Sequence, residues 1–147
     1  MNKDEYYISI AKAVAGKSKC LKKHYGAVIV KDDEIVATGY NGCCRDEPEC
    51  IVCTKVSANK DAAEYETCPA VHAEQNAIIS ASRRDMLGSA LYLYGYDVEA
   101  RADCASVRPC KICLRLIKNA GIGRVLTSSG DLYVRGEDGR LIKGERI

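Results

Sequence analysis

The sequence predicts a single α/β domain whose sheet is covered by helices on both faces. Two observations predict it. Segments with helical spacing alternate with short apolar segments, in the order helix, hairpin, helix, strand, helix, strand. The strand segments are continuously apolar, the pattern of strands buried on both faces. At 147 residues the chain is long enough for one continuous core.

The elements follow in order. Tyr7, Ile10, Ala11 and Val14 recur at helical spacing, so residues 4 to about 20 read as an amphipathic helix. Gly26 to Val30 and Ile35 to Tyr40 are strands around the polar turn Lys31-Asp32-Asp33-Glu34, and form a hairpin. Residues 41 to 69 show no periodicity and are punctuated by cysteines, which marks a functional or stapled insertion. A second helix runs from about 71 to 83, followed by a strand from Ala90 to Tyr94 and a polar connection over 95 to 108. Pro109 opens a third helix, in whose first turn its missing N–H costs nothing. Ile112, Cys113, Leu116, Ile117 and Ala120 share one side of that helix, and Gly121 is placed to cap it. Arg124 to Thr127 is a strand, and Leu132 to Lys143 reads as a hairpin around Gly136-Glu137-Asp138-Gly139.

Composition narrows the class of function. A formal net charge of +2 is weak, and the basic residues are spread out except for Lys17 to Lys23. A chain that grips long nucleic acid carries a clear basic stripe, so no such partner is expected. No apolar run is long enough to cross a membrane, and Met1 to Tyr7 has no leader pattern, so a cytoplasmic location is expected. In a reducing compartment nine cysteines point to metal ligands and free thiols, not disulfides.

The chemistry lies in two motifs, His72-Ala73-Glu74 and Pro109-Cys110-Lys111-Ile112-Cys113. One imidazole and two thiolates hold zinc and leave its fourth position open to water. Zinc lowers the pKa of that water, and a carboxylate that is not a ligand can then shuttle protons. Cys110 and Cys113 are three apart and share a helix face. His72 and Glu74 open the apolar run Val71 to Ile79, so two helix N-termini point at the metal and offset the thiolate charge. A lone Cys-x-x-Cys would suit a purely structural zinc; the added His-x-Glu half favours catalysis.

With these residues placed, the chain resembles the cytidine/deoxycytidylate deaminase superfamily, and most of all its deoxycytidylate (dCMP) branch. The resemblance covers roughly residues 4 to 127. It rests on Ser18-Lys19-Cys20, Gly26-Ala27-Val28-Ile29-Val30, Thr38-Gly39-Tyr40-Asn41-Gly42, His72-Ala73-Glu74-Gln75-Asn76-Ala77-Ile78 and the Pro109 motif. It implies a three-layer α/β/α sandwich with a five-stranded mixed sheet. It implies His72, Cys110 and Cys113 as ligands of a catalytic zinc, and Glu74 as the proton shuttle. Asn41 would contact the sugar, the Ala73 N–H would read a carbonyl on the base, and Gly26, Ala27 and Val28 would form pocket wall. The implied reaction is dCMP to dUMP plus ammonia, on a small-molecule nucleotide substrate and by a homo-oligomer. The alternatives are deamination of adenosine in tRNA or of free cytidine or deoxycytidine and, in a different class, a non-catalytic zinc-binding module.

Some members of the dCMP branch carry a second, structural zinc, and Cys20 and Cys50 match its positions. Cys50 and Cys53 form a further Cys-x-x-Cys, and Cys68 closes the insertion. Four thiolates, Cys20, Cys50, Cys53 and Cys68, would make a closed tetrahedral site that staples segment 41 to 69 to the first helix. Cys44 could replace one of the four; otherwise Cys43, Cys44 and Cys104 remain as free, small, hydrophobic side chains. Lys22, Lys23, Arg45 and Arg135 are candidates for contact with a phosphate, and Tyr133 for an aromatic lid.

Overall fold

The computed structural model describes residues 1–53 and 68–144. Part of the expected insertion, residues 54–67, lies outside them.

Helix α1 (Lys3–Ala15) starts at Asn2, whose side chain accepts from the Glu5 N–H while Glu5 reaches back to the Asn2 N–H. Strands β1 (Lys23–Lys31) and β2 (Glu34–Tyr40) form the expected hairpin. Its turn residues, Asp32 and Asp33, take φ values of 50° and 64°. Positive φ at both positions is the twist that a two-residue hairpin loop needs. Tyr7 Oη donates to Asp33 Oδ1 at 2.6 Å and ties α1 to this turn.

The short strands β3 (Gly42–Cys43) and β4 (Ala70–Val71) pair with each other. Helix α2 (Ala73–Ile79) follows, then the single turn α3 (Arg83–Met86). Strand β5 (Ala90–Asp97) is longer than its apolar run and carries the short partner β6 (Ala102–Asp103). Helix α4 (Lys111–Ala120) connects β5 to β7 (Arg124–Thr127), and β8 (Leu132–Arg135) and β9 (Leu141–Gly144) close the described chain as a hairpin. The sheet order is β2-β1-β5-β7-β8-β9, with β6 on β5. Among the described residues only β5 and β7 pair in parallel; the other pairings are antiparallel. The sheet is therefore mixed, as expected, but has seven strands among the described residues and not five. The additions are β6, inside the connection read as wholly polar, and β9, the far arm of the tail hairpin.

Each central strand divides its side chains between two layers. Ala27, Ile29, Leu91, Leu93 and Val125 pack with Ala73 and Ala77 of α2 and Ile117 of α4. Val28, Val30, Tyr92, Tyr94 and Leu126 pack with Tyr7, Ala11 and Ala15 of α1. The period-2 alternation of a strand thus supplies both cores, and the sheet lies between α1 on one side and α2 with α4 on the other. Two glycines set how closely the helices approach. A Cβ at Gly26 would stand 2.0 Å from the Ala11 carbonyl oxygen of α1. A Cβ at Gly39 would stand 2.4 Å from both Ala73 O and Ala77 N of α2.

Candidate metal centre and pocket

Both halves of the metal centre sit at helix starts. His72 is the residue before α2 in extended conformation, and its N–H donates to Gln75 Oε1 at 2.8 Å. Cys110 is the N-cap of α4, and its Sγ accepts from the Cys113 N–H at 3.3 Å. Pro109 consequently lies one residue outside the helix and not in its first turn, which leaves the cap position to a metal-binding side chain. Gly121 ends α4 in the left-handed conformation, φ 86°, as expected.

His72 Nδ1 lies 3.2 Å from Cys113 Sγ and 3.6 Å from Cys110 Sγ. The three donor atoms all lie within 4.8 Å of one another. Zinc bonds of about 2.0–2.3 Å in a tetrahedron put ligand atoms about 3.5–3.8 Å apart, so the donor set fits that ion. Among the described residues this is the one group of three or more His, Cys, Asp or Glu donors so close together.

Glu74 lies in the first turn of α2 and is 5% exposed. Burial pushes its carboxyl above the usual carboxylate range, against the lowering effect of its own backbone N–H and of the Cys113 thiol. A carboxyl raised in this way holds a proton more readily, the property a proton shuttle needs. Burial, and then the nearby Glu74 and Cys110, also raise the Cys113 thiol. A bound cation would reverse that order, because a coordinating thiol is deprotonated.

These residues face a cavity of about 280 Å³. His72, Glu74, Cys110 and Leu93 line it, with Tyr25, Asn41 and Ala70. Lys22, Lys23 and Arg108 line it as well, together with Cys20, Cys53 and Cys68. Asn41 is 6% exposed and doubly tied: Oδ1 accepts from the Tyr25 N–H at 2.8 Å, and Nδ2 donates to Lys23 O at 2.9 Å. An amide nitrogen carries two hydrogens, so one remains for a ligand. Ala73 is fully buried at the first helical position of α2.

Other expected residues stand elsewhere. Gly26 backs onto α1, and Val28 packs in the α1 core. Of the three expected wall residues, only Ala27 points to the layer that holds the metal centre. The physical reason is the alternation of the strand, which cannot present consecutive side chains to one face. Tyr133 is packed in the core and supplies no lid. Arg135 donates to the carbonyls of Lys118, Ile122 and Gly139, and locks the end of α4 to the β8–β9 hairpin. Cys50 Sγ lies 3.8 Å from Cys43 Sγ, while the other three expected thiols of the second site, Cys20, Cys53 and Cys68, line the cavity. Cys20, Cys50, Cys53 and Cys68 do not come together as closely as the His72 group. Cys104 is a buried core residue as expected, whereas Cys44 is exposed.

Arg108, Tyr25 and Leu93 are pocket residues that the sequence reading missed. Arg108 alone carried a usable signal, since it stands two residues before the first thiolate of the motif. Tyr25 and Leu93 reach the pocket through strand pairing, which no local pattern reveals.

Fold and donor set together define an α/β/α protein with an imidazole-dithiolate metal centre and a buried carboxylate beside it. Residues 1–129 match the family described as the cytidine and deoxycytidylate deaminase zinc-binding region, and the chain belongs to that family. It is 36% identical over 129 residues to a deoxycytidylate deaminase of Mycobacterium phage D29, covering 84% of this chain and 91% of that one. It is 33% identical over 127 residues to the deoxycytidylate deaminase of Saccharomyces cerevisiae, covering 85% of this chain but 37% of the yeast protein. Among solved structures, the apo dCMP deaminase of cyanophage S-TIM5 superposes with a TM-score of 0.63 at 26% identity, over 86% of this chain and 84% of that one. A cytidine deaminase of Burkholderia pseudomallei shares the fold, with a TM-score of 0.56 at 17% identity over 99% and 94% of the two chains.

Proposed function

We propose that this protein catalyses the hydrolytic deamination of dCMP to dUMP and ammonia. The observation that carries the reading is His72, Cys110 and Cys113 gathered beside the buried Glu74 in a family of cytidine and deoxycytidylate deaminases. The phage D29 relative, matched over nearly its whole length, is a deoxycytidylate deaminase. A cavity of about 280 Å³ suits one small molecule. It is slightly below the range of about 300–1,000 Å³ typical of drug-sized ligands.

His72, Cys110 and Cys113 would hold a zinc ion, which when bound would acidify a water molecule for attack on the base. Glu74 accepts a proton from the attacking water and passes it to the ring N3. A C–O bond forms at C4. Glu74 then takes the proton of the new C4 hydroxyl and delivers it to the exocyclic amine; the C4–N bond breaks, the C4–O bond becomes a carbonyl, and ammonia leaves. The buried N–H of Ala73 and the remaining Asn41 amide hydrogen would hold base and sugar. Ala27 borders the same layer.

The reading extends to features the site alone does not fix. The chain acts as a single domain, with the stretch from about 41 to 69 as an insertion. A second, structural zinc is held by Cys20, Cys50, Cys53 and Cys68; three of these thiols already line one cavity. The protein works in the cytoplasm, where its thiols stay reduced, and it assembles as a homo-oligomer through helix faces. Among the described residues, no helix is long and apolar enough to cross a membrane. Ammonia release from a panel of cytosine and adenine nucleosides and nucleotides tests the reading. Turnover of dCMP supports it. Release only from adenosine in a tRNA stem-loop, or from none of the panel, defeats it.

A further inference from the structure

We propose that Arg108, with Lys22 and Lys23, forms the receptor for the dianionic phosphate monoester of the substrate, and that Arg108 is a specificity-determining residue for nucleotide over nucleoside. The inference rests on the deaminase reading of the pocket and names the group that reading leaves unassigned.

Three side chains with fixed positive charge line the cavity, and Glu74 is the only carboxylate among its described lining residues. The formal net charge of the whole chain is only +2, so this concentration of cations is local. Lys22 and Lys23 are half-buried and also line a second hollow, together with Asp97 and Glu99. The Asn41 amide holds the Lys23 carbonyl, and the Asn41 carbonyl accepts from the buried Ser18 hydroxyl. The start of β1, which carries Lys23 and directly follows Lys22, is therefore fixed to the pocket wall.

Arg108 is oriented from the other side. Its Nε lies 3.7 Å from Asp131 Oδ2. Asp131 is in turn held by the Ser129 hydroxyl at 2.8 Å and by Lys143 of β9 at 2.9 Å. The Ser129 hydroxyl also accepts from the Val107 N–H at 2.9 Å. Contact through the Nε edge leaves the two terminal nitrogens, which make no hydrogen bond among the described residues. A guanidinium offers a phosphate two parallel N–H donors, a geometry that neither lysine supplies. Arg45 does not line the cavity and Arg135 is engaged on backbone carbonyls, so neither competes for this role.

The test is calorimetric binding of dUMP and of deoxyuridine to the zinc-loaded full chain, wild type and Arg108→Gln. Wild type should bind dUMP at least about tenfold more tightly, the scale of one charge-assisted hydrogen bond. Arg108→Gln should remove most of that preference, and Lys22→Gln with Lys23→Gln should reduce it further. The preference should also weaken as salt is raised. Equal binding of the two ligands by wild type overturns the proposal. So does a preference that survives Arg108→Gln, whatever the lysine variants do. Ammonia release from dCMP is read separately: a protein that prefers dUMP yet releases none keeps the anion site and loses the deaminase reading.

Discussion

His72 Nδ1 stands 3.2 Å from Cys113 Sγ although 41 residues separate them in the chain. The contact joins the start of α2 to the first turn of α4. Each helix packs on the sheet through residues that have no part in the site, Ala77 in one and Ile117 and Ala120 in the other. The metal centre is therefore assembled by the core and should not be needed to build it. Chelation should abolish deamination while the far-ultraviolet circular dichroism stays near native, and added zinc should restore turnover. Cys110→Ser should behave as the chelated protein does. Global unfolding on chelation would show that this centre is structural.

Glu74 is buried and is not one of the three metal donors. Glu74→Gln keeps the shape and removes the shuttle. Zinc content should be unchanged and kcat should fall by about 10²–10⁴-fold, the usual scale of a lost general acid–base. Near-wild-type turnover in this variant would sink the mechanism.

Cys53 lines the cavity with Cys20 and Cys68. If a second zinc binds there, metal analysis should give two zinc atoms per chain. Cys53→Ser should then lower the count to about one and reduce stability, since binding to such a site contributes directly to folding. One zinc per chain in metal-replete wild type would return these cysteines to free thiols.

A Cβ added at Gly39 would meet backbone atoms of α2 at 2.4 Å on both Ala73 and Ala77. Backbone cannot rotate away as a side chain can, so α2 must shift. Gly39→Ala should cost about 1–3 kcal/mol by denaturant unfolding, the range for overpacking. Turnover should fall as well, because Ala73 adjoins both His72 and Glu74. Unaltered stability would mean that α2 moves freely on the sheet.

Lys143, followed by Ser129, holds the Asp131 carboxyl below its ordinary value. A depressed folded pKa stabilises the native state above the unfolded value of about 3.9. That contribution is lost as pH falls through the folded pKa. Asp131→Asn should lower the melting temperature at pH 7, and the gap to wild type should narrow below about pH 4. A gap that widens in acid would contradict the ion pair.

The sequence by itself determined the elements, the donor set and the layering. Helical spacing in α1, the apolar runs of β1, β5 and β7, and the glycine after α4 are local signals, and local signals are written in adjacent residues. His72, Glu74, Cys110 and Cys113 were legible for another reason: zinc and proton transfer admit few residue types, and the two short motifs bring them in pairs. Tertiary structure alone decided which side chains share a space. Pairing of β1 with β5 carries Tyr25 and Leu93 to the pocket. Strand alternation turns Val28 away from it. The Ser129–Asp131–Lys143 cluster brings the tail to Arg108, directly before the Pro109 motif, while Arg135 is engaged on backbone carbonyls. Such contacts depend on register and on the approach of helices to the sheet, which the whole core sets and no window of sequence records.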